Sequence, residues 1–159
     1  MAFPLVDKQT LSTTASPAAV WRALTDVDRW PQVLPSVLAA KLEPEGVFAA
    51  GSRIVTRPVP AAGAYDLEYR IVAAEAPRRL VLEIDNRDYR ATTEYVVAAA
   101  PDAAGMTDLA VTTRLEAQGF SQIVRFLLWR QRLMPFLSAS ARQRAQAFLD
   151  LAARLGETG

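Results

Sequence analysis

Hydrophobic and polar residues alternate with a period of two through the middle of the chain, which predicts β-strands. The clearest case is residues 65–71, where large apolar side chains alternate strictly with charged ones. Turn signals rich in proline and glycine bound the other predicted strands. These strands cover residues 5–14, 37–42, 52–59, 79–85, 89–97 and 107–117. Because the turns between them are too short to hold crossover helices, we predict an antiparallel sheet.

Two regions have helical spacing instead. Ser16 and Pro17 form a helix start, with a capping hydroxyl followed by a proline at the first helical position. A second short helix is expected to open near Asp28 and to run to about Leu34. In the C-terminal region, apolar residues recur at steps of three and four and form one stripe, consisting of Met134, Leu137, Ala141, Ala145, Phe148, Ala152 and Leu155. We predict a long helix there, kinked or restarted at Pro135.

Three short motifs carry a resemblance to a known family. They are Ser16-Pro17 with Val20-Trp21, the Thr25-Asp26-Val27 turn with Trp30-Pro31, and Ala76-Pro77-Arg78-Arg79-Leu80. With these motifs and this order of elements, the chain resembles the START-like superfamily (SRPBCC), which includes polyketide cyclase/dehydrase-type and lipid-binding proteins. The resemblance implies an α+β helix-grip fold, in which a curved antiparallel sheet of about six to seven strands grips a long C-terminal helix. It covers nearly the whole chain, so we expect a single domain over residues 1–159.

A sheet that grips a helix leaves one strand parity facing the interior, and the period-two segments indicate which parity this is. The inward set is apolar with a few hydroxyl groups, which is the composition of a site for a lipophilic or aromatic small molecule. Its hydroxyl-bearing members are Tyr65, Tyr69, Thr93, Tyr95 and Thr113. The alternative is that these hydroxyls bond one another or the backbone in a filled core. The outward charges predict a solvated face with cross-strand ion pairs.

The resemblance implies a pocket between the sheet and the long helix. We expect Trp30 and Leu34 at its mouth, since a tryptophan in the matching Trp-Pro position lines the cavity in aromatase/cyclase members. For Trp30 the alternative is that it only packs the second short helix onto the sheet. The other predicted ligand-binding residues are Tyr65, Tyr69, Leu82, Thr93, Tyr95 and Thr113 from the sheet, and Phe120, Met134 and Leu137 from the helix region.

We predict that the chain binds a hydrophobic small molecule, such as a lipid or polyketide, in this pocket. The alternative is a polyketide cyclase/aromatase or a dehydratase-like enzyme, because such enzymes resemble this chain in fold. Members of that type carry an inward arginine on the strand that matches residues 65–71. Here an ungapped match places Ile71 at that position, while Arg70, Arg53 and Arg57 have outward parity. This departure argues against cyclase chemistry.

Composition narrows the remaining classes of function. The chain has no cysteine and no histidine, which excludes Cys–His and Ser–His–Asp catalysis and most zinc sites. No motif in the sequence implies a metal or an organic cofactor, and we expect none. A formal net charge of +1 gives no electrostatic reason to expect a nucleic-acid partner. The start lacks the features of a signal peptide, and no apolar stretch reaches the ~20 residues of a transmembrane helix. We therefore expect a cytoplasmic protein, as a monomer or homodimer.

The segment 120–136 is more apolar than a one-faced surface helix requires, and it includes Arg125, Arg130 and Arg132. One interpretation is that it packs over the open end of the sheet. The others are a pocket lid, a dimer contact or a peripheral membrane contact. The sequence leaves these interpretations open.

Overall fold

The computed structural model describes residues 4–61 and 65–158, apart from the side chains of Phe120, Glu157 and Thr158. Within these residues, the strands are β1 (Leu5–Thr13), β2 (Val37–Glu43), β3 (Arg53–Pro58), β4 (Leu67–Glu75), β5 (Arg79–Asp85), β6 (Tyr89–Ala99) and β7 (Thr107–Ala117). The helices are α1 (Pro17–Thr25), α2 (Trp30–Val33) and α3 (Phe120–Thr158), and a 3-10 turn at Val27–Arg29 joins α1 to α2.

The seven strands form one sheet in the order β1-β7-β6-β5-β4-β3-β2, and each neighbouring pair is antiparallel. The predicted antiparallel arrangement is therefore confirmed. The register shifts between Val37 and Ala39 in β2 and between Ile71 and Ala73 in β4. Irregularities of this kind bend a strand and increase its twist, which lets the sheet curve around α3. The result is the helix-grip fold.

The predicted starts of the short helices are close to those observed. The Ser16 hydroxyl accepts a hydrogen bond from the Ala19 backbone N–H at 3.1 Å, as expected of an N-cap, and Pro17 is the first residue of α1. The predicted restart at Pro135 is wrong, because α3 is one helix of 39 residues that contains this proline. Proline removes one backbone hydrogen bond, and both Pro135 and Gln131, four residues earlier, are exposed, so water can solvate the freed carbonyl.

The hydrophobic core lies between the concave face of the sheet, the two short helices and the C-terminal half of α3. Val20 and Leu24 of α1 and Ala145, Phe148 and Ala152 of α3 are all buried in it. The C-terminal part of the predicted apolar stripe is thus confirmed as a core-facing row. No helix in the described part of the chain combines the length and hydropathy needed to span a bilayer.

The outer face of the sheet carries charged residues that pair across strands. Nη2 of Arg70 lies 2.7 Å from Oε1 of Glu83. The Arg53 guanidinium contacts Oε2 of Glu43 at 3.1 Å and Oε1 of Glu68 at 3.2 Å. These contacts confirm the predicted solvated face. Each exposed pair contributes under about 1 kcal/mol to stability, so the pairs matter mainly because they direct these arginines away from the interior.

The parity predicted for Tyr65 is wrong. Strand β4 begins at Leu67 and continues to Glu75, so the alternation of inward and outward side chains does not extend back to position 65. Tyr65 is 85% exposed. It lines an open cleft together with Asp66 and Asn86, and its side chain is not buried in the core.

Candidate functional site

A cavity of about 210 Å³ lies between the concave face of the sheet and the middle of α3, and we call it the inner cavity. Inward-facing residues of β4 to β7 form most of its wall. The sheet side includes Leu67, Tyr69, Leu82, Ile84, Thr93 and Thr113. The helix side consists of Phe136, Leu137, Ser140 and Arg144.

A larger and more open cavity of about 570 Å³ adjoins it, between the N-terminal half of α3 and the ends of β6 and β7. We call this space the vestibule. Phe126, Trp129 and Leu133 of α3 give it mostly apolar walls. Tyr89 and Leu115 belong to the walls of both cavities, so these two side chains lie between the vestibule and the inner cavity.

Five of the residues predicted to bind a ligand line the inner cavity. They are Tyr69, Leu82, Thr93, Thr113 and Leu137. The sheet register explains why Leu82, Thr93 and Thr113 lie together. Leu82 is directly opposite Thr93, and Thr93 is directly opposite Thr113. Directly opposite residues in antiparallel strands share one face of the sheet.

Trp30 lies in the core rather than at the mouth of a pocket, contrary to our expectation. It is 3% exposed, and its Nε1–H donates a hydrogen bond to the Leu24 carbonyl oxygen at 3.2 Å. Its ring packs edge-on against Tyr69 and Phe148, with centroids 5.8 and 6.0 Å away. The bond to the C-terminal end of α1 satisfies the indole inside the protein, so Trp30 supports the cavity wall from behind Tyr69.

The remaining predicted residues lie outside the inner cavity. Leu34 and Tyr95 are buried in the core, and the Tyr95 ring packs edge-on against Phe148. Met134 is half-buried on α3 and lines neither the inner cavity nor the vestibule. The side chain of Phe120 lies outside the described part of the structure.

Arg144 and Ser140 are cavity residues that the sequence reasoning missed. Counting back along the helix from Phe148, steps of four, four and three reach Arg144, Ser140 and Leu137, so all four lie on one side of α3. From that spacing, the sequence could have predicted that Arg144 and Ser140 share a helix face with Leu137 and Phe148. The neighbouring row of Ala141 and Ala145 predicts the buried face of the helix instead, because a buried position is expected to be apolar.

Two buried polar atoms of the inner cavity have no hydrogen-bond partner within the described residues. They are the Thr113 hydroxyl oxygen and Nε of Arg144. Buried polar atoms in proteins are nearly always hydrogen-bonded, so each exception calls for an explanation. Both side chains line the same cavity.

Burial raises the pKa of the Tyr69 hydroxyl and of the Tyr95 hydroxyl, and the positive charge of Arg144 partly opposes each rise. Both hydroxyls therefore stay protonated at neutral pH. The cavity thus combines apolar walls with a cation and protonated hydroxyl groups.

The sequence matches the model of the family described as "Polyketide cyclase / dehydrase and lipid transport" over residues 8–156. The chain belongs to this family. No curated protein matches the sequence.

Solved structures similar to this family member share its fold at low sequence identity. The di-domain ARO/CYC BexL from the BE-7585A biosynthetic pathway matches with a TM-score of 0.73 and 16% identity, over 94% of this chain and 50% of that one. This chain therefore spans half the length of BexL. Ara h 8.0201 matches with a TM-score of 0.64 and 13% identity, over 93% and 99% of the two chains. Norcoclaurine synthase from Thalictrum flavum, in complex with dopamine and hydroxybenzaldehyde, matches with a TM-score of 0.66 and 13% identity, over 94% and 88%.

This member of the family carries its interior arginine on a different element from the one that the aromatase/cyclase resemblance implies. The matching position on β4 is Ile71, which is buried opposite Leu82. The guanidinium in the cavity comes instead from Arg144 of α3. Within residues 4–61 and 65–158, no group of three or more acidic side chains is placed to hold a metal ion.

Proposed function

We propose that this protein binds a hydrophobic small molecule in the inner cavity. The observation that carries this proposal is an apolar cavity whose wall contains two buried, unpartnered polar atoms, those of Thr113 and Arg144. Apolar walls with a few convergent polar groups are typical of small-molecule sites. The family description, which includes lipid transport, and the aromatic ligands held by norcoclaurine synthase support the same class of function.

The vestibule supports the proposal because it adjoins the inner cavity and adds apolar space. An inner cavity of about 210 Å³ alone suits a small ligand. The adjoining vestibule of about 570 Å³ can hold a longer apolar tail. A ligand that spans both would pass between Tyr89 and Leu115, which border both spaces.

Binding is a better proposal than the enzymatic alternative, a polyketide cyclase/aromatase or dehydratase-like activity. General-base catalysis of such reactions uses a group that accepts a proton near the substrate. The raised pKa values of Tyr69 and Tyr95 leave their hydroxyls protonated, and no carboxylate is among the residues that line the inner cavity. The buried carboxylate of Asp7 already accepts a hydrogen bond from Gln9 at 2.8 Å.

Filling the inner cavity is expected to prevent binding. Ala91 lines the cavity on β6, directly opposite Ile84 and Leu115 on the two neighbouring strands. The variant Ala91→Phe places a ring in the space that the ligand would occupy, so the affinity for the neutral fluorescent dye N-phenylnaphthylamine should fall at least about tenfold, a loss of roughly 1.4 kcal/mol. A fluorescence titration measures this affinity.

Thr92→Phe is the matched control, because residue 92 lies on the same strand and faces the opposite side of the sheet. It should bind the dye as the wild type does. A folded Ala91→Phe protein with unchanged affinity would show that the dye binds elsewhere and would contradict the proposal.

We also propose that the N-terminal half of α3 contacts an anionic membrane surface. The structure leaves several large apolar side chains of this segment exposed, and Leu128 and Phe136 are the extremes at 76% and 72%. Residues 117–136 contain three arginines, Arg125, Arg130 and Arg132, and no acidic residue, so this apolar surface is set in a positively charged stretch. That combination is typical of helices that lie in the headgroup region of anionic membranes.

The position of this surface relative to the vestibule connects it to ligand binding. Arg125 and Trp129 line the vestibule and belong to the same helical segment as Leu128. The Arg132 guanidinium lies over the Trp129 ring, 5.0 Å from its centroid. Contact of this segment with a membrane would place the vestibule next to a source of lipophilic molecules.

Removing the exposed apolar side chains is expected to abolish membrane binding. The double variant Leu128→Ser/Trp129→Ser deletes two exposed side chains without touching the core, so its co-sedimentation with vesicles of phosphatidylglycerol and phosphatidylcholine should fall to background. Leu38→Ser is the control, since Leu38 is an exposed leucine on β2, on another part of the surface. Equal sedimentation of both variants, or no sedimentation of the wild type, would contradict the proposal. A wild-type dimer that the double variant converts to a monomer would identify this surface as a dimer contact instead.

A further inference from the structure

We infer that the ligand of the inner cavity carries an acidic oxygen group, such as a carboxylate, which binds to Arg144 and Thr113. This inference rests on the proposed function, because it requires that the inner cavity be occupied. Within the described residues, neither side chain has a protein partner for its buried polar atom.

Arg144 brings a permanent positive charge into the wall of an apolar cavity. Arg144 as a whole is half-buried, but its Nε is buried and unpartnered, and it takes part in none of the ion pairs within the described residues. A guanidinium cannot be neutralised by losing its proton at physiological pH, and burying it without a counter-ion is costly. An anionic group on the ligand would supply the counter-ion that the protein does not.

Thr113 adds a second donor on the opposite wall of the cavity. Its side chain is 3% exposed, and its hydroxyl has no hydrogen-bond partner in the described structure. The two residues opposite it in the sheet are Asp7 on β1 and Thr93 on β6. A hydroxyl that faces a cavity without a protein partner can donate to an oxygen of the ligand.

The carboxylate of Asp7, which lies opposite Thr113 in the sheet, does not replace such a ligand. Asp7 is buried, and Gln9 Nε2 donates to it. The same Gln9 nitrogen also donates to the Ser138 carbonyl oxygen at 2.6 Å, which ties β1 to α3. Asp7 is therefore part of a contact between these elements, and it is not among the residues that line the inner cavity.

A carboxylate suits this site better than a neutral oxygen. Guanidinium groups bind carboxylates through charge-assisted and often bidentate hydrogen bonds, which are about twice as strong as bonds between neutral groups. The protonated Tyr69 hydroxyl, on the same wall, provides a further donor. The apolar remainder of the cavity and the vestibule would then hold the tail of the acid.

The test compares two probes that share a ten-carbon chain and differ in the head group, decanoate and decanol. The variants are Arg144→Met, which removes the charge and keeps an extended apolar side chain, and Arg142→Met, which changes an exposed arginine of the same helix. Displacement of N-phenylnaphthylamine measures both affinities. We expect Arg144→Met to weaken decanoate at least about tenfold and decanol less than about threefold. Arg142→Met should change neither, and Thr113→Val should weaken decanoate more than decanol.

The other outcomes separate this inference from the proposed function. If Arg144→Met weakens both probes equally, or if the wild type prefers decanol, the inference is wrong while the proposal of a hydrophobic ligand stands. If the wild type binds neither probe nor the dye, the proposed function fails as well. Arg144→Lys retains the charge and provides a second variant should the methionine variant not fold. It should recover part of the affinity for decanoate only.

Discussion

Replacing Trp30 with alanine is expected to lower the free energy of unfolding by about 3–5 kcal/mol, the usual cost of deleting a large buried aromatic side chain. The ring is almost fully buried, where it packs edge-on against Tyr69 and Phe148. Its loss leaves a large cavity behind the wall that contains Tyr69. It also leaves the Leu24 carbonyl without the indole donor. Urea unfolding followed by far-UV circular dichroism measures the change.

The variant Trp30→Phe separates the packing of this residue from its hydrogen bond. It keeps an aromatic ring in the core and removes the donor to Leu24, so we expect a smaller loss of about 1–3 kcal/mol. Its affinity for N-phenylnaphthylamine should stay close to that of the wild type, because Trp30 does not line the inner cavity. Wild-type stability together with a large loss of affinity would instead indicate that Trp30 contacts the ligand.

The sheet could be predicted from the sequence because burial of one face leaves a signal with a period of two. Alternation fixes the face of Tyr69, Leu82, Thr93 and Thr113, and the sheet register places all of them on the cavity side. The same rule fails at Tyr65, because alternation holds only where the strand itself continues. Where a strand begins depends on its neighbour, and the pairing of β3 with β4 extends only to Leu67.

The role of Trp30 could not be predicted in this way. Its position in the sequence shows that it lies on a short helix after α1, but not which partner satisfies its N–H group. That partner is a backbone carbonyl at the end of α1, six residues earlier, and its availability depends on how the chain turns at Val27–Arg29. A motif shared with aromatase/cyclase members therefore indicated the fold correctly and the position of the side chain incorrectly.

Arg144 shows a second limit of the sequence pattern. The alanine row at 141 and 145 and the row through Ser140 and Arg144 are neighbours on the helix surface, and both follow the three- and four-residue spacing. Which row faces a cavity depends on the rotation of α3 against the sheet. That rotation is set by tertiary contacts such as the one between Gln9 and Ser138, which joins residues 129 positions apart.

Placing an arginine at position 71 is expected to destabilise the protein by about 3–5 kcal/mol, the range seen when a buried charge is left without a partner. Ile71 is 1% exposed and belongs to the hydrophobic core. Its partner across the sheet is Leu82, and the interior already contains the charge of Arg144. The family resemblance implies an arginine on this strand, but Ile71 does not line the inner cavity, so a guanidinium at this position would be buried among apolar core residues. Thermal and urea unfolding of Ile71→Arg measures the loss.

Val72→Arg is the matched control, because Val72 is the next residue on β4 and is exposed. It should change stability by no more than about 0.5 kcal/mol, as surface substitutions usually do. If Ile71→Arg folds as stably as Val72→Arg, the inner cavity extends to β4 at position 71 and can accept a strand arginine. The expected difference between the two variants would instead mean that position 71 does not accept a strand arginine, which leaves Arg144 of α3 as the cation among the described residues that line the inner cavity. A ligand that binds it must then approach α3 with its polar end, while its apolar part lies against the sheet.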